Sequence, residues 1–228
     1  MGSDTARKGI VTRQTEITPV NLHGKEIASS DRHPLLVGLA LIPTDLQRSL
    51  ARIQERLRKV DSRHIYTHPA TFHITIKPMG TLGDQVKQKN LSKIIEVTRS
   101  VTSRMKPFEV GLEGLSIFPD VIYVKVTDGK EGIVRLNETL ALNLRDMVTH
   151  GKHEGVNMIP HVTLAHFMAS DVDNLLTEAR SVSTLKFGRM NLDRITLVRA
   201  SLGKYFGPQR TRTRAFEKVA VFSLGPLS

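Results

Sequence analysis

Two stretches decide the reading of this chain: Phe72-His73-Ile74-Thr75-Ile76-Lys77 and Pro160-His161-Val162-Thr163-Leu164-Ala165. Side chains alternate across a β-strand. In the first stretch Phe72, Ile74 and Ile76 share one face, and His73, Thr75 and Lys77 share the other. In the second, Val162 and Leu164 share one face, and His161 and Thr163 the other. Each stretch therefore offers an apolar side to a core and a His-Thr pair to the opposite side. With 9 His and 20 Thr in 228 residues, composition alone supplies about one His-x-Thr triplet. Two copies, each with an apolar residue after both His and Thr, are not expected from composition.

Working outward, each motif strand has the same surroundings. Leu35 to Ile42 is a short apolar run between prolines and predicts a buried strand. Thr44 or Asp45 is expected to cap the following helix, which carries Leu46, Leu50, Ile53 and Leu57 at helical spacing. After the first motif, Gly80 and Gly83 mark a turn. A helix is expected from about Asp84 to Arg104, with Leu91, Ile94, Ile95 and Val101 as its apolar stripe. Strands are predicted from Phe108 to Ile117 and from Val121 to Val126, joined by a tight connection at Phe118-Pro119-Asp120. A helix ending near His150 precedes the second motif strand, and another, from about Asp171 to Arg180, follows it. Two further strands are expected around Lys186 to Ser201 and Phe216 to Leu224. The second half thus repeats the first loosely. This predicts an α+β fold of two similar lobes with mainly antiparallel pairing. Residues 1–33 are polar and aperiodic and read as an N-terminal arm, so residues 34–228 are expected to form one bilobal domain.

Composition narrows the chemistry. The chain has no cysteine, which excludes disulfides, thiolate nucleophiles and cysteine zinc sites. It also fits a reducing compartment, so a cytoplasmic location is expected. No secretory leader is visible at the N-terminus, and the longest apolar run is too short to span a bilayer. A net charge of +11 and a pI near 10.1 favour polyanionic partners such as nucleic acid. There is no Trp and only 5% aromatic residues, which argues against an extended stacking platform. His64 and His68, and His150 and His153, have spacings that suit a metal on a helix. Neither pair has an obvious third ligand, so no metal and no cofactor are expected.

Paired histidines suit phosphodiester chemistry. Opening a cyclic phosphodiester with water requires one proton removed from the nucleophile and one delivered to the leaving oxygen. An imidazole with a pKa near 6.5 serves either need near neutral pH. The attacking and leaving oxygens lie roughly in line, so the two histidines must approach phosphorus from opposite sides. A Thr hydroxyl two residues along on the same face reaches a non-bridging oxygen. Lys77, assigned by alternation to that face, would add positive charge. His73, Thr75, His161 and Thr163 are the candidate catalytic residues. The internal repeat leaves acid and base open, with His161 preferred as base and His73 as acid.

At these residues the sequence resembles the 2H phosphoesterase superfamily, in particular its 2′-5′ RNA ligase-like branch, also called RNA 2′,3′-cyclic phosphodiesterases. The likeness extends from Pro34 to about Leu224. It also rests on Leu115-Ser116-Ile117-Phe118-Pro119 and on Leu197-Val198-Arg199-Ala200-Ser201-Leu202-Gly203. The resemblance implies two antiparallel sheets related by a pseudo-twofold axis, with both His-Thr pairs lining the cleft between them. It implies metal-independent hydrolysis of RNA 2′,3′-cyclic phosphate to a 2′-phosphate, with 2′-5′ ligation as the reverse. Two positions depart from the pattern. His166 stands where members often carry arginine, and alternation assigns it to the face of Val162 and Leu164, away from His161. Phe216 stands where members often carry a substrate-side tyrosine. Tyr205 is a candidate replacement, and the basic segment Gln209 to Arg214, Arg214 included, is a candidate RNA-backbone contact. The alternatives are the same site acting on 2′-5′ oligoadenylate, an RNA 3′ tail or a nucleotide cyclic phosphate, and a non-catalytic RNA-binding module. A monomer that binds RNA or a nucleotide and does not engage membranes is expected.

Overall fold

A computed structural model of the chain describes residues 34–150, 154–202, 211–212 and 214–225; the expected arm, 1–33, lies outside them. The chain runs through β1 (Leu35–Leu41), α1 (Thr44–Val60), a short β2 (Ile65–Thr67) and β3 (His73–Thr81). It continues through α2 (Leu91–Thr102), β4 (Phe108–Phe118), β5 (Val121–Val126), α3 (Lys130–Leu144), β6 (His161–His166) and α4 (Asp173–Ser181). β7 (Lys186–Leu192), β8 (Arg194–Leu202), β9 (Thr211–Arg212) and β10 (Arg214–Ser223) follow.

The strands form two sheets, ordered β10-β8-β1-β3 and β7-β4-β5-β6-β2-β9. Pairing is antiparallel throughout except between β2 and β9, which run parallel. The repeat expected from the sequence is present as β1-α1-β3 in one sheet and β5-α3-β6 in the other. Motif strands β3 and β6 lie alongside each other, bringing the two sheets together along them.

The apolar faces assigned by alternation are buried: Phe72, Ile74, Ile76, Val162 and Leu164 all have 0% exposure. They join one cluster with Leu46, Leu50, Ile53 and Leu57 of α1, and with residues of the other three helices. Each such side chain contributes about 1.5–3 kcal/mol.

Both motif strands carry a β-bulge at the same place. On β3, Thr75 pairs with Leu39 and Lys77 with Gly38, leaving Ile76 as the extra residue. On β6, Thr163 pairs with Tyr123 and Ala165 with Ile122, leaving Leu164 extra. A bulged carbonyl loses its ladder partner and needs another. A helix amide supplies it in each half. Asn137 of α3 donates to the Ile76 carbonyl at 2.7 Å, and Gln54 of α1 donates to that of Leu164 at 2.8 Å.

Several boundaries differ from expectation. The second helix begins at Leu91 rather than near Asp84, because the Thr81 carbonyl accepts the amides of Gln85 and Val86 in a turn through Gly83, whose φ is 93°. α3 stops at Leu144, where Arg145 takes a φ of 42°. The stretch Lys186 to Ser201 is two strands, split at Asp193 and belonging to different sheets. Pro43, not Thr44 or Asp45, precedes the first turn of α1, and no side chain caps it. Among the described residues no helix is long and apolar enough to cross a membrane.

Candidate active site

The two histidines are held in the same way. His73 Nδ1 lies 2.7 Å from the Thr71 carbonyl, and His161 Nδ1 lies 2.7 Å from the Ile159 carbonyl, two residues back in each case. A carbonyl only accepts, so Nδ1 carries the proton in both rings. Acid–base exchange is thereby confined to Nε2, which accepts a proton in the neutral ring and donates one in the imidazolium. Both rings are partly exposed. Thr75 and Thr163, also partly exposed, hydrogen-bond to no protein group among the described residues, whereas the hydroxyls of Thr71, Thr102, Thr139, Thr149 and Thr177 donate to backbone carbonyls.

Cross-strand partners share a face, so the registers show what surrounds each pair. Leu41 stands opposite His73 and Leu39 opposite Thr75. Val37 and Leu39 belong to a second apolar cluster on this face, against which Phe216 packs. The Phe216 ring meets His73 edge-on, with centroids 5.4 Å apart. On the other sheet, Lys125 stands opposite His161 and Tyr123 opposite Thr163, while Ser116 pairs with Tyr123 and Phe118 with Val121. Phe118 meets His161 edge-on at 5.1 Å and stacks on Tyr123 at 4.2 Å; Tyr123 lies 5.1 Å from His161. Burial in this aromatic nest pushes the His161 pKa below its ordinary value, outweighing the Ile159 carbonyl and the Asp120 carboxylate, which pull it up. His161 is therefore neutral near pH 7.

The bulges correct two assignments. Gly38 and Leu39 are adjacent on β1 and point to opposite faces, so their partners Lys77 and Thr75 do not share one. Lys77 points into the interior, with 0% exposure. Its ammonium lies 2.7 Å from Glu154 Oε1 and donates to the Thr149 carbonyl at 3.1 Å. Its charge is committed to Glu154, so Lys77 is a structural cation rather than a substrate contact. Conversely, His166 pairs with Val121, two residues from Tyr123, and so shares the face of Thr163. It is not turned away from His161, as strict alternation implied.

The 2′-5′ RNA ligase superfamily matches residues 42–204. This chain belongs to that superfamily. It is 24% identical over 164 residues to an RNA 2′,3′-cyclic phosphodiesterase of Aquifex aeolicus, covering 68% of this chain and 84% of the relative. It is 24% identical over 172 residues to an RNA 2′,3′-cyclic phosphodiesterase of Methanothermobacter thermautotrophicus, covering 72% and 90%. Among solved structures, TT0787 of Thermus thermophilus superimposes with a TM-score of 0.65 at 21% identity, over 84% of this chain and 98% of that one. E. coli LigT complexed with 3′-AMP gives 0.63 at 12% identity, over 84% and 98%. These likenesses establish a shared fold.

Tyr123, Lys125 and Phe118 share the motif face of their sheet but were not singled out as site residues. Their signal was available: Val121 to Val126 alternates, placing Tyr123 and Lys125 opposite the buried Ile122, Val124 and Val126. Lys125 donates to the Ser183 carbonyl at 3.0 Å. Tyr205 and the side chain of Arg214 lie outside the described residues, as does His153. Of the histidines spaced like metal ligands, His64, His68 and His150 have protein partners, His150 Nε2 lying 2.8 Å from the Arg145 carbonyl. His64 is buried beside Asp61 and accepts from the Met168 amide at 3.1 Å, and His68 accepts from the Ala70 amide at 3.3 Å.

Proposed function

We propose that the chain is an RNA 2′,3′-cyclic phosphodiesterase that opens cyclic phosphate ends to 2′-phosphates by two-histidine acid–base catalysis without a metal. The observation that carries this reading is the matched pair of Nδ1–carbonyl bonds on side-by-side strands, which fixes the same tautomer in both rings and confines proton exchange to Nε2. His161 Nε2 takes a proton from water as the water oxygen bonds to phosphorus. The bond from phosphorus to the ribose O3′ breaks, and His73 Nε2, starting protonated, gives its proton to that oxygen. His161 suits the base because it is neutral near pH 7. Thr75 and Thr163 donate their uncommitted hydroxyls to the non-bridging oxygens, where charge builds. The names of the Aquifex and Methanothermobacter relatives favour this substrate, and the net charge of +11 favours an RNA chain over a free nucleotide. With an RNA 5′-hydroxyl in place of water, the same steps yield a 2′-5′ linkage. The test is incubation with a defined RNA ending in a 2′,3′-cyclic phosphate in the presence of a chelator. A 2′-phosphate product supports the reading; a 3′-phosphate product or an unreacted end rejects it.

A further inference from the structure

Tyr123 has a buried ring and an uncommitted hydroxyl. The residue is 6% exposed, and stacking on Phe118 fixes its ring. A buried phenol ordinarily donates to a protein acceptor. Tyr66 does so: it is fully buried and donates to the Asp61 carbonyl at 2.6 Å. The Tyr123 hydroxyl has no such partner among the described residues, and its oxygen is not sealed from solvent. It lies on the motif face, directly across the ladder from Thr163, whose hydroxyl is also uncommitted, and its ring lies 5.1 Å from that of His161. A phenol without a structural hydrogen bond, held beside a candidate base and a candidate phosphate donor, is suited to a ligand's oxygen.

We infer that Tyr123 is a substrate-binding residue whose hydroxyl donates a hydrogen bond to the phosphate on the His161 side of the site. The inference rests on the phosphodiesterase reading for its substrate and on geometry for its position. Among the described residues the opposite half has no counterpart, since Phe216 beside His73 carries no hydroxyl. Phosphate is thus gripped asymmetrically: by Thr75 on one side, and by Thr163 and Tyr123 together on the other. The extra donor sits next to the base, where negative charge accumulates as water attacks.

The test is Tyr123→Phe, which keeps the ring and its stack and removes only the oxygen. The expected result is a loss of roughly 10- to 100-fold in kcat/KM on RNA 2′,3′-cyclic phosphate, carried mainly by kcat. Inorganic phosphate, used as a competing ligand, should bind more weakly. The melting temperature should stay within about 1 °C, because no protein hydrogen bond is lost. Tyr66→Phe is the contrast, losing stability. Turnover within twofold of wild type overturns the inference, as does a loss of activity matched by a drop in melting temperature. If the wild-type protein turns over no cyclic phosphate, the functional reading fails by itself. Titration with inorganic phosphate then decides Tyr123 separately: weaker binding by the variant supports its role, and equal binding overturns it.

Discussion

Replacing Lys77 with Met separates a structural cation from a substrate-binding one. Lys77 Nζ is 2.7 Å from Glu154 Oε1 and 3.1 Å from the Thr149 carbonyl, with side-chain exposures of 0% for Lys77 and 12% for Glu154. Burial pushes the lysine's pKa down, and Glu154 opposes this by stabilising the charged form. Removing one partner of a buried pair costs about 3–5 kcal/mol. Glu154 keeps some solvent and a contact with His150 Nδ1 at 3.4 Å, so a cost near the lower end, about 3 kcal/mol, applies. At about 2–4 °C per kcal/mol for a domain of this size, the melting temperature falls by about 6–12 °C. Circular dichroism melts at pH 7 measure this. KM for RNA 2′,3′-cyclic phosphate, measured well below the melt, should stay within about threefold, since the ammonium is buried against Glu154 and the Thr149 carbonyl. Lys77→Met combined with Glu154→Leu removes both charges and should recover much of the loss. An unchanged melting temperature with KM raised tenfold or more would refute the reasoning and return Lys77 to the substrate.

Two further outcomes follow from the site. Asp120 raises the His161 pKa, so Asp120→Asn lowers it and extends the neutral base to more acidic pH. The acidic limb of kcat/KM should move to lower pH, and less so at high salt; a move to higher pH contradicts His161 as the base. Thr75→Val and Thr163→Val should each lower kcat by roughly 10- to 1000-fold. Melting temperatures should change little, because neither hydroxyl serves a protein acceptor among the described residues; a large stability loss in both variants argues for structural roles.

Much of the fold was legible because period-2 alternation is a local rule. It identified β3, β5 and β6, and helical spacing placed Leu46, Leu50, Ile53 and Leu57 on the buried side of α1. What it missed depends on tertiary contacts. One extra residue at Ile76 reverses the facing of Lys77 and Pro78, and one at Leu164 reverses that of Ala165 and His166. That turned Lys77 inward and His166 outward, against strict counting. Nothing in Phe72 to Lys77 announces the bulge, which is sustained by Asn137, 61 residues away. β2 is three residues long and has no periodicity to read, so only its pairing with β6 and β9 defines it. The cut at Asp193 arises because β7 finds β4 while β8 finds β1. At the site, the His-Thr pairs were readable from two triplets. Phe216 was placed by the resemblance and stands against His73. Tyr123 escaped notice because what sets it apart is a hydrogen bond that its hydroxyl does not make among the described residues.

The central claim is that Nε2 of His73 and Nε2 of His161 straddle one phosphorus. A crystal structure with a nucleoside 2′-phosphate bound tests it most directly. The account predicts one phosphate between β3 and β6, with each Nε2 about 2.7–3.1 Å from a different oxygen on opposite sides of phosphorus. A phosphate bound elsewhere, or contacted by only one of the two rings, would contradict it.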